Sequence, residues 1–312
     1  MKLTDTVIAL IVTYNRKDLL RKSLNATLGQ SFLPNRIVIL DNNSDDGTDA
    51  MFTKGSSFDS KKIDYVKLNT NIGGAGGFHE GIKYIIGHYQ FDWIWLYDDD
   101  TIPNQNALEE LVLDSHKING SISFVASSVF SKQHQIMNIP SIDGTAKAGR
   151  YPDWNLLLGL GMVKIKQATF VSLLIKSDAI LKVGLPIKEY FIWGDDSEYT
   201  LRLTKFFGPA YLSGNSIVQH LRKSSGNLSV RNESDPKRIS MLSYLYRNQL
   251  LNDSMYRSKT HFIKTLILTF LTSFSFMFPL SRISFQKFLS VQKGIFEFII
   301  FDKKILKSRF KL

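Results

Sequence analysis

Three carboxylates stand side by side in "WIWLYDDDT" (93–101), where an apolar run ends at Asp98, Asp99 and Asp100. Unit charges about 4 Å apart repel by roughly 4 kcal/mol at the effective dielectric of a protein surface. The cluster therefore calls for a cation, and a bound metal ion and a solvated turn are the two readings open to it. A second acidic group, "WGDDSEYTLR", sets Asp195, Asp196 and Glu198 at a helix start just after Trp193. The helix dipole and N-cap preference alone explain acids there. The alternative is a division of labour, in which one cluster holds a metal and a carboxylate of the other is general base to a hydroxyl. His220, closing "SIVQH", is either structural or a nitrogen ligand beside carboxylate oxygens, a mixture that favours manganese.

Two further stretches carry binding chemistry. The glycine-rich "NTNIGGAGGFHEG" (69–81) puts Gly73, Gly74, Gly76 and Gly77 between a strand and a helix, where backbone N–H groups can approach a phosphate. It holds neither G-K-[ST] nor G-x-G-x-x-G, so it is no P-loop and no dinucleotide fingerprint. Asp41 ends a strand in "DNNSDDGT", where a carboxylate can accept hydrogen bonds from a ribose or a base, or simply form a turn.

The elements that position these residues alternate. "VIALIVTYN" (7–15), "RIVILDN" (36–42), "DYVKLN" (64–69) and "WIWLYD" (93–98) read as strands, and "RKDLLRKSLNATL", "FHEGIKYIIGH" and "NALEELVLDSHKI" read as helices between and after them. Uninterrupted apolar strands joined by helical crossovers predict an α/β fold with a mostly parallel sheet. Ligands of such sheets bind beyond the carboxyl ends of the strands, the edge on which Thr13 to Asn15, Asp41 to Asn43, Asn69 to Gly74 and Asp98 to Asp100 all fall. Residues 131–165 read as a surface excursion; strand and helix signals resume from "ATFVSLLIKSDAILKVG" to "PAYLSGNSIVQH", and no internal repeat is apparent.

At 312 residues, with 44% hydrophobic and 21% charged residues, the chain has material for a sizeable core. The absence of cysteine excludes a disulfide framework and a thiolate zinc site. "MKLTDTVIALIVTYN" reads as a strand and not as a secretory signal, which implies a cytoplasmic protein. The net charge of +11 is concentrated: residues 231–312 hold 15 Lys+Arg and 5 Asp+Glu. Basic tails meet nucleic acid or anionic membrane, and no nucleic-acid-binding module accompanies this one.

Taken together, "IVTYNR", "DNNSDDGT", "NIGGAGGF", "DDDTIP", "WGDDSE" and His220 resemble glycosyltransferases of family 2, with the nucleotide-diphospho-sugar fold called GT-A, over roughly residues 5–250. They are most similar to the galactofuranosyl- and rhamnosyltransferases of bacterial surface polysaccharides. The resemblance implies that Asp98, Asp100 and His220 bind a divalent metal, Mn2+ or Mg2+. It further implies that Thr13, Asn15, Arg16, Asp41, Asn71, Gly73, Gly74, Asp99 and Trp193 line the pocket for a nucleotide-sugar donor. Asp196 would be the catalytic base, with Asp195 and Glu198 orienting acceptor hydroxyls. One departure stands out: a tryptophan expected soon after the histidine is missing from "HLRKSSG".

The reading that follows is a metal-dependent inverting transferase with UDP-galactofuranose as the favoured donor and dTDP-rhamnose as the closest rival. A catalytically silent sugar- or membrane-binding subunit is the alternative of another class. Residues 1–230 would form the GT-A catalytic domain, its nucleotide half about 1–130 and its acceptor half about 131–230, and 231–312 a helical basic tail. Within that tail the 17 uncharged residues Thr265 to Ser281 are short and Ser/Thr-rich for a membrane span. Basic amphipathic helices rich in aromatics suit an anionic membrane face, here the inner face of the plasma membrane, where a polysaccharide or lipid-linked glycan acceptor is assembled. They equally suit a homo-oligomer interface.

Overall fold

In the computed structural model, which describes residues 3–58, 60–146, 148–222 and 230–301, the first apolar run forms β1 (Val7–Thr13), and every residue of it is buried. The reason lies in the two-residue period of a strand. Ile8, Leu10 and Val12 enter one apolar cluster, and Val7, Ala9 and Ile11 enter another on the opposite face. Helix α1 (Lys17–Leu28) covers the second face through Leu20 and Leu24. β2 (Arg36–Asp41) and β3 (Ile63–Lys67) follow, and then α2 (Gly73–His88), which covers the first face through Phe78, Ile82 and Ile85.

β4 (Trp93–Asp98) divides in the same way, with Ile94 and Leu96 on one face and Trp93, Trp95 and Tyr97 on the other. Next come the short β5 (Thr101–Pro103), α3 (Ala107–His116), β6 (Phe124–Phe130), β7 (Ile136–Met137) and β8 (Ser141–Ile142). The chain continues through β9 (Met162–Gln167), β10 (Val171–Lys176), α4 (Ser177–Val183), α5 (Asp195–Phe206) and β11 (Ala210–His220). The sheet order is β3-β2-β1-β4-β10-β6-β11-β9-β8, with β5 on β11 and β7 on β6.

Strands β3, β2, β1 and β4 are mutually parallel, which is the sheet that the sequence implies. Beyond β4 the sheet is mixed: β10 is antiparallel to β4 and β6, and β11 is parallel to β6. Two departures from regular geometry decide the site. Gly77 faces β1 so closely that a Cβ there would lie 2.5 Å from Cγ1 of Val12, so only glycine allows α2 its approach. In β11 the register with β6 shifts between Ser213 and Ile217. Buried Asp114 anchors that bulge by accepting from Ser213 Oγ and Asn215 Nδ2. Past the bulge β11 pairs with β5, which sets His220 opposite Thr101.

The chain divides into two compact units, Met1–Lys188 with Asp196–Ser225, and Glu189–Asp195 with Gly226–Leu312. The second is built from α6 (Pro236–Tyr256), α7 (Lys259–Ser275) and α8 (Arg282–Ile300). Each starts on a side-chain cap, from Asp235, Ser258 and Ser281, the residue types that satisfy free N–H groups of a first turn. Leu242, Leu250, Leu251, Val291 and Phe298 are buried there. Gly294 lets α8 approach α6, since a Cβ would lie 2.6 Å from the Ser243 carbonyl oxygen. Among the described residues no helix is long and apolar enough to cross a membrane. The last basic residues of the tail, 302–312, lie outside the described residues.

Candidate active site

The triple aspartate closes β4, where Asp98 pairs in register with Val12 while Thr13 pairs with Asp41. The carboxyl ends of β1, β2 and β4 thus form one edge. Asp99 and Asp100 are buried, and a cation does sit between them: Arg16 Nη1 is 3.2 Å from Asp99 Oδ1 and 2.9 Å from Asp100 Oδ2. Thr13 Oγ1 donates to Asp99 Oδ2 at 2.8 Å. Burial pushes the Asp99 carboxyl up to about 6, against the pull of the Arg16 guanidinium. Burial opposes ionisation of Asp100 as well, but neighbouring His220, with Arg16, outweighs it and holds that carboxyl below the usual range. Part of the electrostatic cost of the cluster is therefore met from within the chain, by a residue three beyond β1.

His220 Nε2 lies 3.2 Å from Asp100 Oδ1, and Nδ1 lies 2.9 Å from Asn138 Oδ1. Asn138 thus holds the His220 ring by Nδ1 and leaves Nε2 facing Asp100. Oδ1 of Asp100 is itself buried without a hydrogen bond. One imidazole nitrogen and one unsatisfied carboxylate oxygen facing each other fit a divalent cation of the manganese or magnesium type. Among the described residues no group of three or more histidine, cysteine or acidic side chains is arranged to hold a metal.

Other expected donor-site residues shape the edge. Asn15 adopts φ +51°, its N–H donates to Ser44 Oγ at 2.9 Å, and its Oδ1 accepts from the Asp45 N–H at 2.8 Å. Asp41 is fully buried, accepting from the Ser44 N–H and from the Tyr65 hydroxyl, so its carboxylate organises the turn around Asn43 from inside. Asn71 Oδ1 accepts from the Gly73 N–H at 2.8 Å, and Gly73, at φ +77°, starts α2. Gly74 has open space around its Cα, whereas Gly76 and Gly77 are packed against Ile72 and Val12. The glycine run is thus half approach surface and half packing surface. Asn71 takes the Gly73 N–H and the N-cap Ile72 offers no side-chain cap, so the N–H groups after Gly73 in the first turn of α2 are the ones available to an anion.

At the start of α5, Asp196 is partly accessible; its Oδ1 accepts from the Ser197 N–H at 2.6 Å, and burial pushes its carboxyl up. Glu198 differs from the expectation that it meets acceptor hydroxyls. It is fully buried, and both of its oxygens accept from Arg202, at 2.9 and 3.0 Å. Arg202 also donates to the carbonyls of Val183 and Leu185. The pair fastens α5 to the end of α4. Asp195 and Trp193 belong to the other unit, where Asp195 is buried and Trp193 takes φ +61°.

Several residues escaped the sequence reading. Asn42 ties β2 to the glycine run, donating to the Gly73 carbonyl and accepting from the Ile72 N–H; its position in "DNNS", beside Asp41, was the available signal. Asn138 and Arg202 gave none, since each acts through a partner remote in sequence. The stretch after His220 where a tryptophan is expected runs beyond Arg222 into residues outside those described.

Residues 8–142 match the family described as glycosyl transferase family 2. The galactofuranosyltransferase GlfT1 of Mycolicibacterium smegmatis is 27% identical over 217 residues, 65% of this chain and 66% of that protein. GlfT1 of Mycobacterium tuberculosis is 27% identical over 205 residues, with the same shares. The match thus spans just under two thirds of these curated relatives. In three dimensions the chain resembles the S. aureus TarS 1–349 crystal structure, with a TM-score of 0.57 and 11% identity, covering 95% of this chain and 81% of that one. It also resembles a structure of GalNAc-T7 with UDP, GalNAc and Mn2+, with a TM-score of 0.60 and 13% identity, covering 97% and 57%. At these identities the structural likeness concerns the fold, which is the GT-A α/β arrangement implied by the sequence.

Proposed function

We propose that this glycosyltransferase, a chain that carries a family 2 domain over residues 8–142, is an inverting enzyme that moves galactofuranose from UDP-galactofuranose to a hydroxyl of a growing cell-surface polysaccharide. The acceptor in this reading is lipid-linked, and the enzyme works as a peripheral protein at the inner face of the plasma membrane. The observation that carries the choice of sugar is the similarity to GlfT1, together with a histidine placed against the triple aspartate.

Asp98, Asp100 and His220 would hold a divalent ion, whose charge offsets that of a departing nucleoside diphosphate. The remaining parts belong to the chain. The N–H groups that follow Gly73 in the first turn of α2 favour a phosphate, with Gly74 leaving room for it. Asp196, with its proton affinity raised by burial, takes the proton of the attacking acceptor hydroxyl. Direct displacement needs no covalent enzyme intermediate. Arg16 keeps Asp99 and Asp100 compatible before a donor arrives. Contact with a lipid surface is supported by α7, α8 and the segment between them, where Leu271, Phe278, Leu280, Phe285, Phe296 and Ile299 are all more than half exposed.

The test is donor turnover by the purified protein with Mn2+, comparing UDP-galactofuranose, UDP-galactopyranose and dTDP-rhamnose beside an Asp196→Asn control. Turnover of the furanose alone, lost in the control, upholds the proposal. Turnover of dTDP-rhamnose instead keeps the mechanism and replaces the donor. No turnover together with metal-dependent UDP binding points to a silent binding subunit.

A further inference from the structure

The segment that delivers the chain to Asp195 and Asp196 is contorted. Phe191, Trp193 and Gly194 all have left-handed backbones, with φ of +65°, +61° and +87°. For bulky aromatics that conformation is strained, and it persists only where the surroundings over-determine it. Here they do so from one face of α6. Tyr244, Arg247, Asn248 and Asn252 follow the helical spacing that puts side chains in a row.

Asn248 is the centre of this arrangement. It is fully buried, and its Nδ2 donates toward the carbonyls of Tyr190, Ile192 and Trp193, at 3.0, 3.0 and 2.7 Å. Its Oδ1 accepts from Arg247 Nε at 3.0 Å, which fixes which end of the amide faces the turn. Arg247 Nη2 donates to the carbonyls of Glu189 and Tyr190. Asn252 donates to the Gly194 carbonyl and accepts from the Tyr190 hydroxyl. Phe191 stacks on Tyr244, with ring centroids 4.9 Å apart. A side chain on Gly194 would press on Asn248, its Cβ only 3.3 Å from the Asn248 Cβ.

We propose that Asn248 is a positioning residue for Asp195: by holding the carbonyls of Tyr190, Ile192 and Trp193 it sets the left-handed turn from which Asp195 emerges. This rests on the reading of Asp195 as a residue that orients acceptor hydroxyls. Mere packing of α6 would not require the amide to serve three consecutive-turn carbonyls, and strain of this kind collects at functional sites because it fixes a direction of approach. An orienting group displaced by an ångström loses on the order of 100-fold in rate.

The experiment uses the full chain, as wild type, Asn248→Ala, and Val291→Ala as a control that empties part of the α8 core instead. Amide hydrogen exchange is followed in 190–196, turnover is measured with UDP-galactofuranose and Mn2+, and UDP affinity is measured in parallel. In Asn248→Ala, exchange of 190–196 is expected to rise about ten-fold or more and kcat to fall on the order of 100-fold, with UDP affinity within about two-fold. Val291→Ala should lose stability without either change. Unchanged exchange in 190–196, unchanged kcat, or the same kcat loss in the control would overturn the proposal. Asp195→Asn separates the two layers of argument. If that variant turns over like wild type, the reading of Asp195 has failed, and exchange alone then decides whether Asn248 holds the turn.

Discussion

His220 Nε2 stands 3.2 Å from Asp100 Oδ1, because β11 crosses a bulge and pairs with β5 immediately after the triple aspartate. The backbone closes the same junction, with the Leu221 N–H donating to the Asp100 carbonyl at 2.8 Å. Position here is set by strand register, which side-chain substitution leaves intact, so the ligand chemistry can be tested without dismantling the sheet.

Metal binding should respond with opposite signs to two substitutions. Asn138→Ala frees the His220 ring, and loss of such a supporting partner costs about 10- to 100-fold in metal affinity. Arg16→Met removes a cation that competes for Asp99 and Asp100, and so should tighten Mn2+ binding several-fold, about 1 kcal/mol for a half-exposed charge. Titration of free Mn2+ by electron paramagnetic resonance reads both. Unchanged affinity in both variants would remove the Asp100–His220 pair from consideration.

Asp196→Asn should abolish turnover and yet stabilise the fold at neutral pH. A carboxyl raised by burial binds its proton more tightly folded than unfolded, so its contribution is fully present below the unfolded value and is lost as pH rises through the folded one. The melting temperature of the variant should therefore match wild type in acid and exceed it at neutral pH. In wild type, the acid limb of the rate profile should lie above that of an ordinary aspartate.

Glu198→Ala should act on stability. It strands the buried Arg202 guanidinium, and breaking a buried pair from one side costs roughly 3–5 kcal/mol. Urea unfolding measures it. Were Glu198→Ala to fold as stably as wild type while losing acceptor transfer, Glu198 would belong to acceptor binding after all.

Sedimentation with phosphatidylglycerol vesicles, against phosphatidylcholine, tests the exposed faces of α7 and α8. The intact chain should pellet with the anionic vesicles, and Leu271→Ser with Phe285→Ser, both at exposed positions, should weaken this by about ten-fold. Equal recovery in the supernatant with and without vesicles would rule out the lipid surface.

The sequence by itself determined the α/β alternation, the three acidic and glycine-rich ends on one sheet edge, and the helical character of the tail. Those are local properties: a two-residue or helical apolar period and turn chemistry are written in neighbouring residues. The tertiary structure decided who meets whom. Arg16 supplies the charge that the triple aspartate calls for, His220 reaches Asp100 only through the β11 bulge, Glu198 turns inward to Arg202, and Asn248 grips the turn before Asp195. Each depends on strand register or on a helix packed from far along the chain, and a one-residue change of register would send every such side chain to the opposite face.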